Sequence, residues 1–442
     1  MKNADVTENS KITVSLLSMS WYRRKDPRIP LGMAYIYSSL KNTFPDDLID
    51  ITMIEADVRD NLTNSIHRIL AINPDIIGIG VYAWNSDQTK AVIKSLRELG
   101  FGGIIVLGGP EITYGGNELK AEFPEVGFFV KGFGEIAFTK IIHYLKSNSW
   151  NNIPGVYKAG EEIGDILADP TTSVASSPFG RDDLVKELIG KDFARWQTQR
   201  GCVYRCTFCA FKMPNNGMIE SDLATVEFEL KKIAELAPKN VAVLDPVFFL
   251  NRIRAVSVLE MMKKITPETT YNLQTRFEHL NTDIIKKIDP DHIILECGLQ
   301  TLDSEVQRRI KRVNNREKVS EIIKNLNARK IRFETHLIYG LPGQTMDSFA
   351  SDIFSLKQMG CTKLRIFPLS LLRGTEIEVN ADSREIIFSP VFPREVIKPE
   401  WMDVHQVYRL KELQKYLEDN GNIMDEEFVK NLTDASKVTK CR

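Results

Sequence analysis

Three cysteines fall inside eight residues, Cys202, Cys206 and Cys209 of the stretch RGCVYRCTFCAF, whereas Cys297, Cys361 and Cys441 are scattered. A loop that begins with Gly201 can turn sharply enough to point three thiolates at one centre. A structural zinc takes four ligands and usually closes with a second Cys pair or a nearby His, but the next histidine downstream is His279. A 4Fe–4S cluster has four irons, and three Cys ligands leave one of them open to bind a small molecule. The spacing Cys-x3-Cys-x2-Cys therefore favours a cluster with a reactive corner over a closed zinc site. A disulfide framework is not expected in a chain of 442 residues, which has no need of staples.

The elements that must position this loop are legible on either side of it. From Phe193 the segments ARWQTQ, VAVLDPVFF, YNLQTRF, HIILECGLQ, RFETHLIYG and KLRIFPLS read as strands, separated by helical patterns such as LATVEFELKKIAEL and KVSEIIKNLNARK. Serial β/α units without an order reversal imply a barrel or partial barrel, with chemistry at the C-terminal ends of the strands. The cysteine loop follows the first strand, at that end. After LLRGTEI the pattern weakens into a mostly helical tail with one clear helix, VHQVYRLKELQKYLEDN.

The N-terminal part reads as a second unit. ITVSLLS, IDITMIE, DIIGIGVY, GGIIVLGG and VGFFVKG alternate with amphipathic segments, as in a doubly wound five-stranded parallel sheet with helices on both faces. Such a sheet binds ligands at the C-terminal edge of its strands. The loops there carry Tyr82, Trp84, Asn85 and Ser86 after the third strand, Gly108, Gly109, Pro110 and Glu111 after the fourth, and Gly132, Phe133, Gly134 and Glu135 after the fifth. No Gly-x-Gly-x-x-Gly follows the first strand, which argues against NAD or FAD. The Gly-, Pro-, Ser- and Asn-rich stretch 148–192, with GVYKAGEEIGD resembling a short hairpin, is expected to link a domain at 1–147 to a barrel at 193–375, with the tail at 376–442.

Lys plus Arg (58) nearly balance Asp plus Glu (59), so no overall field points to nucleic acid or a membrane surface. The polar N-terminal ten residues and the lack of any apolar run near the roughly 20 residues of a membrane span lead to the expectation of a cytoplasmic protein.

The cysteine stretch, with Phe208 just before its last Cys, resembles the radical S-adenosylmethionine (SAM) superfamily, and the resemblance extends from about Phe193 to Thr375. It implies a partial (β/α)6 barrel, a 4Fe–4S cluster on Cys202, Cys206 and Cys209, and SAM chelating the open iron. In that family one electron splits SAM to methionine and a 5'-deoxyadenosyl radical, which abstracts hydrogen from substrate. Carried onto this chain, the family pattern assigns SAM contacts to Asp245 in VLDPVFF, to Glu296, Gln300 and either Arg309 or Arg312 in LECGLQTLDSEVQRRIKR, to Ile338 and Gly340 in HLIYGLPGQT, where Gly343 eases the turn, and to the backbone of Phe367, Pro368 and Leu369. A cap or turn role before Pro246 is the alternative for Asp245, and a solvated helix face for either Arg.

The N-terminal sheet, together with RIPLGMAYIYSSL and its glycine-bearing loops, resembles the cobalamin-binding domain that precedes the barrel in one large subfamily. Gly108 and Gly109 would let a corrin approach backbone, and Tyr82, Trp84 and Asn85 would lie under or beside it; alternatively Trp84 fills that place and the domain is vestigial. No Asp-x-His-x-x-Gly motif supplies a lower axial histidine. Taken together, the resemblance implies a methyltransferase that abstracts hydrogen from an unactivated carbon and passes it a methyl group from methylcobalamin. The expected partners are a small-molecule or peptide substrate and a one-electron reductant such as flavodoxin or ferredoxin, with no nucleic acid and no membrane. A non-methylating rearrangement or cyclisation, and a non-catalytic iron–sulfur sensing module, are the alternatives. A methylthiotransferase is disfavoured because no cysteine precedes Cys202.

Overall fold

In the computed structural model, residues 10–23, 25–168, 177–190, 192–211 and 217–437 are described. The chain divides into two compact units, Met1–Arg195 and Trp196–Arg442.

The first unit is built on strands β1 (Ile12–Ser20), β2 (Ile49–Asp57), β3 (Ile76–Gly80), β4 (Ile104–Gly108), β5 (Phe128–Val130) and β6 (Val156–Lys158), in the spatial order β2-β1-β3-β4-β5-β6. Strands β1 to β5 are parallel. Their near-continuous apolar runs follow from helices covering both faces. On one face pack helices Leu31–Thr43 and Gly134–Ser147. On the other, Ile69 of helix Thr63–Ile72 and Val92, Ile93 and Leu96 of helix Ser86–Glu98 join Ile77, Ile79, Ile105 and Leu107 in one buried cluster. The chain reverses direction across the sheet between β1 and β3, and the crevice at the C-terminal ends of these strands is where such folds take ligands.

The five expected strands are all present, but the sheet has a sixth. Val156–Lys158, expected to form a local hairpin in the linker, pairs antiparallel with β5 instead. An otherwise bare edge strand offers unpaired N–H and C=O groups, and β6 satisfies them. The helix Asp182–Leu188 also packs within this unit, where Tyr37 Oη donates to Asp183 Oδ2 at 2.8 Å.

The second sheet runs β14-β13-β12-β11-β10-β7, from β7 (Phe193–Trp196) through β10 (Asn240–Val243), β11 (Thr270–Thr275), β12 (Ile293–Gln300) and β13 (Arg332–Tyr339) to β14 (Leu364–Pro368). Neighbours from β10 to β14 pair in parallel and in sequence order, the arrangement of a partial barrel. Helices following the strands start cleanly: Asp222, Asn251, Asp303 and Thr345 each accept a backbone N–H with the side chain, relieving an unpaired donor of the first turn. Between β7 and β10 a two-stranded antiparallel ribbon, β8 (Gln199–Arg200) with β9 (Ile219–Glu220), brackets the cysteine loop.

The tail carries more than the one helix its sequence announces. A hairpin of β15 (Ile387–Phe388) and β16 (Val396–Lys398) precedes helix Val404–Asp419, and a second helix, Glu426–Lys437, packs against the first. Short strands of two and three residues leave too little alternation to be read from sequence. No described helix is long and apolar enough to cross a membrane.

Candidate functional site

The cysteine loop leaves β8 at Gly201, whose φ of 78° is a left-handed conformation that glycine adopts without strain. Backbone contacts then pin it from two sides. Thr207 N donates to Ile310 O at 3.1 Å, and Thr207 O accepts from Ile377 N at 3.2 Å. Within the loop Cys209 N donates to Cys206 O at 3.1 Å, and Phe211 N points at Cys209 Sγ at 3.5 Å. Cys202 and Cys206 are buried and Cys209 is half-buried. Burial raises the Cys202 thiol, and burial together with the neighbouring sulfurs pushes Cys209 up to about 11. Metal coordination is what deprotonates thiols held this way. Among the described residues no three His, Cys, Asp or Glu side chains converge as ligands of a single metal ion would; cysteines of a cluster bind separate irons and need not.

Buried cations surround the loop. Arg312 directs Nη1 at Cys206 Sγ across 3.7 Å, donates Nη2 to Gly298 O, and has no partner for Nε. Arg276 lies 3.9 Å over the Tyr204 ring, pairs with Glu278, donates Nη2 to Val313 O at 3.2 Å, and leaves Nε and Nη1 unpartnered. Burial, and then the charge of Arg276, lowers the Arg312 pKa from its ordinary value. Gln300 stands at φ 75°, beside a register shift between Gly298 and Gln300, and its buried Oε1 is also unpartnered. Each buried polar atom left without a hydrogen bond costs about 1–3 kcal/mol. Unsatisfied guanidinium N–H groups and strained backbone at one spot mark a place made for an anionic ligand, and this donor set fits an iron–sulfur cluster with a carboxylate-bearing molecule beside it.

The remaining sequence candidates separate into those the fold gathers and those it does not. Phe208, Ile338 and Leu369 pack in one apolar cluster with Val306, Ile310 and Leu341. Gly340, at φ 84°, donates its N–H to Gln344 Oε1 at 2.8 Å, and Pro368 ends β14 next to Leu369. Glu296 sits half-buried on β12. Of the two arginines, only Arg312 reaches the cysteines. Arg309 pairs with Glu305 and Glu400, lies 5.4 Å from the Trp401 ring, and crosses Gly343 so closely that a Cβ there would fall 2.8 Å from its Cδ. The Asp245 carboxylate is fully buried and taken up by the chain itself, accepting from Thr198 N at 2.6 Å, Thr198 Oγ1 at 2.5 Å and Gln199 N at 2.8 Å. It ties the end of β10 to the entry of the cysteine loop. Burial pushes it up to about 6 against the pull of those hydrogen bonds and of Arg254.

Sequence reasoning passed over Arg276 and Tyr204 and weighed His279 only against a zinc site, yet the three form one unit: Tyr204 Oη and His279 Nε2 are 2.6 Å apart, with Arg276 over the Tyr204 ring. The available signal was the position of Arg276 in YNLQTRF, at the C-terminal end of a barrel strand. Cys441 lies outside the described residues.

At the ligand edge of the first unit, Asn85 is buried and its amide is spent internally, donating to Met19 O at 2.9 Å and Gly80 O at 3.0 Å and accepting from Tyr82 N at 2.8 Å. Trp84 donates Nε1 to Met19 O at 3.2 Å and packs on the buried cluster, and Tyr82 stacks on it with ring centroids 4.4 Å apart. Ser86 opens the following helix. Gly109, at φ 93°, lies so close to Val81 that a Cβ would fall 2.6 Å from its carbonyl oxygen, whereas a Cβ on Gly108 would meet nothing nearer than Val130 at 3.8 Å. Pro110 and Glu111 form the short helical turn after β4, and Gly132, Phe133, Gly134 and Glu135 lead from β5 into helix Gly134–Ser147, with Gly132 N donating to Thr113 Oγ1 at 3.0 Å. Three loops thus present glycine backbone and a flat aromatic pair along one sheet edge, which fits a large planar macrocycle held by shape and main chain.

Residues 196–356 match the radical SAM superfamily, and residues 25–142 match the B12 binding domain. This is a radical SAM protein with a B12-binding domain. Its two domains carry with them the cofactor set of 4Fe–4S cluster, SAM and cobalamin. The chain is 23% identical over 68% of its length to the cobalamin-dependent radical SAM methyltransferase TokK of Streptomyces tokunonensis, covering 47% of that protein. It spans about half the length of the curated relatives it matches. In fold it is similar to the radical SAM methyltransferase TsrM of Kitasatospora setae with cobalamin and a 4Fe–4S cluster bound (TM-score 0.69, 15% identity, 86% of this chain and 76% of that one). It is similar also to the cobalamin-dependent SAM radical enzyme OxsB with aqua-cobalamin and SAM bound (TM-score 0.72, 15% identity, 97% and 71%).

Proposed function

We propose that this radical SAM enzyme is a cobalamin-dependent methyltransferase that methylates an unactivated carbon of a small-molecule or peptide substrate, drawing electrons from a flavodoxin- or ferredoxin-type reductant. The observation that carries the reading is the presence in one chain of a three-cysteine loop flanked by unsatisfied buried guanidiniums and of a B12-type sheet with glycine loops along its ligand edge. An unactivated carbon is not nucleophilic, so ordinary attack on SAM fails and the difficult chemistry passes to cofactors. When bound, the cluster with SAM supplies hydrogen-atom abstraction and cobalamin supplies the methyl group.

The chain's own residues bind, orient and shield. Cys202, Cys206 and Cys209 would hold three irons and leave the fourth for SAM. Arg312, with its buried unpaired Nε, would receive the SAM carboxylate, and Gln300, whose unpaired Oε1 is an acceptor, would receive the SAM ammonium group, while Glu296 and the main chain at Asp245 and Gly340 would serve its other polar groups. Phe208, Ile338 and Leu369 would give the adenine an apolar wall. Tyr82, Trp84, Gly108, Gly109 and the loop Gly132–Glu135 would carry the corrin. The names of TokK and TsrM as methyltransferases support this reading.

Anaerobic reconstitution with iron, sulfide and hydroxocobalamin tests it. The expected outcome is about four irons and one cobalt per chain, with formation of 5'-deoxyadenosine and of a product heavier by one methyl group. A protein that binds no cobalt, or whose product has the mass of its substrate, overturns the methyltransferase assignment.

A further inference from the structure

The concave face of the barrel sheet is polar where a closed barrel would be packed with branched apolar side chains. Along β13, Phe333, Thr335, Leu337 and Tyr339 are buried on the side of helix Met346–Gln358, where Tyr339 meets the Phe349 ring. The alternate residues Glu334, His336 and Ile338 therefore face the barrel interior. On β14, Leu364 and Ile366 are buried on the helix side, so Arg365 and Phe367 share the interior face. Interior neighbours on β11 and β12 are Gln274, which is exposed, and Glu296, in register with each other and with Glu334. This face is open and lined with groups that form hydrogen bonds.

Three of these side chains form a fixed unit. Glu334 Oε1 accepts from His336 Nε2 at 2.8 Å and forms an ion pair with Arg365 Nε at 3.3 Å. Burial would raise the Glu334 carboxyl, but His336, Arg365 and Lys363 outweigh it and hold it below its ordinary value. Glu334 is thereby the positioning residue that aims the other two. The outer fork of Arg365, its two Nη groups, has no partner among the described residues, and 43% of that side chain is exposed. Phe367 is 36% exposed and meets the His336 ring edge-on at 5.4 Å.

We propose that Arg365, held by Glu334 and assisted by His336, is the substrate-recognition residue of this barrel, and that it selects substrates bearing a carboxylate or phosphate next to an apolar portion that lies on Phe367. A guanidinium fork suits such planar or trigonal oxyanions because two parallel N–H groups meet two oxygens. The unpaired fork and the exposed ring lie on one face of β14, two residues apart, the pairing of one charged contact with one apolar contact that fixes a ligand's orientation. The proposal rests on the radical SAM reading for the statement that substrate enters the barrel.

Direct binding tests it on the full reconstituted chain, with 3-phenylpropanoate as probe and 3-phenylpropanol as its uncharged counterpart, followed by ligand-observed NMR. The carboxylate is expected to bind and the alcohol to bind about tenfold more weakly. Arg365→Gln should weaken the carboxylate by a similar factor while leaving the alcohol unchanged, and Phe367→Ala should weaken both. Should Arg365→Gln fail to fold with Glu334 left unpaired, Arg365→Lys keeps the charge and loses the fork, and an intermediate weakening is expected. Equal affinity of wild type for probe and alcohol, or undiminished carboxylate binding in both Arg365 variants, overturns the proposal. Phenyl phosphate distinguishes the two oxyanions: tighter binding than 3-phenylpropanoate supports a phosphorylated substrate within the same proposal. Because the readout needs neither cobalt nor turnover, its failure is separate from failure of methyl transfer.

Discussion

At the strand ends of the first unit the polar side chains are spoken for, while around the cysteine loop of the second they are not. Asn85 spends both ends of its amide on Met19, Gly80 and Tyr82, and Trp84 spends its N–H on Met19. Arg276, Arg312 and Gln300 instead keep buried atoms without partners. The first edge is suited to a large neutral macrocycle gripped by surface and main chain; the second, to a charged cluster and a zwitterion that complete its hydrogen bonds. Two parallel sheets of similar make thus suit different ligand chemistries, one by satisfying its polar side chains internally and the other by leaving buried ones open.

The contrast is broken most sharply at the cysteines. Cys209→Ser is expected to abolish the cluster and all deoxyadenosine formation while leaving cobalamin binding intact, as read by iron content and the corrin absorption spectrum. Next in size, Arg312→Gln should raise the SAM dissociation constant about 10- to 100-fold, measured by calorimetry on reconstituted protein. A small effect there would mean that the unpaired guanidinium serves the cluster alone.

On the first unit, Asn85→Ala removes three internal hydrogen bonds and should cost about 2–3 kcal/mol of stability in denaturant titration. Gly108→Ala sharpens the same point from the other side. A Cβ there has room within the fold, so stability should change by less than about 0.5 kcal/mol while cobalamin affinity falls, whereas Gly109→Ala collides with Val81 and should destabilise the unit itself.

An effect confined to a window of pH belongs to Asp245. Its carboxyl is raised to about 6 in the folded chain, against about 4 when unfolded, so the native state binds the extra proton between those values. Stability from this group is therefore full below about pH 4 and falls as pH rises toward 6, by no more than about 2–3 kcal/mol. The slope should vanish in Asp245→Asn when urea midpoints are compared across pH.

Much of this was legible in the chain. The five parallel strands and six barrel strands stand out because each is an apolar run or an apolar–polar alternation bounded by turn residues, and the cysteine spacing is local, set by a few bonds along one loop. β6 and the β15–β16 hairpin were not, because a strand of two or three residues has no period to read and forms only where an edge needs a partner. Nor could sequence choose between Arg309 and Arg312, three residues apart, the first ending helix Ser304–Arg309 and the second just beyond it. Packing turns one to Glu305 and Glu400 and the other to Cys206.

The sequence by itself determined what is covalently close: the triad of thiols, the glycines after the fourth and fifth strands, and the alternation that builds two α/β units. Tertiary structure alone decided which distant side chains share a site, since Arg276, Arg312, Gln300 and Tyr204 come from separate elements and meet only when strands fall into register. The reason is physical: spacing along a chain fixes which face a residue occupies, but whether a charge there is paired or left open depends on what the rest of the fold brings against it.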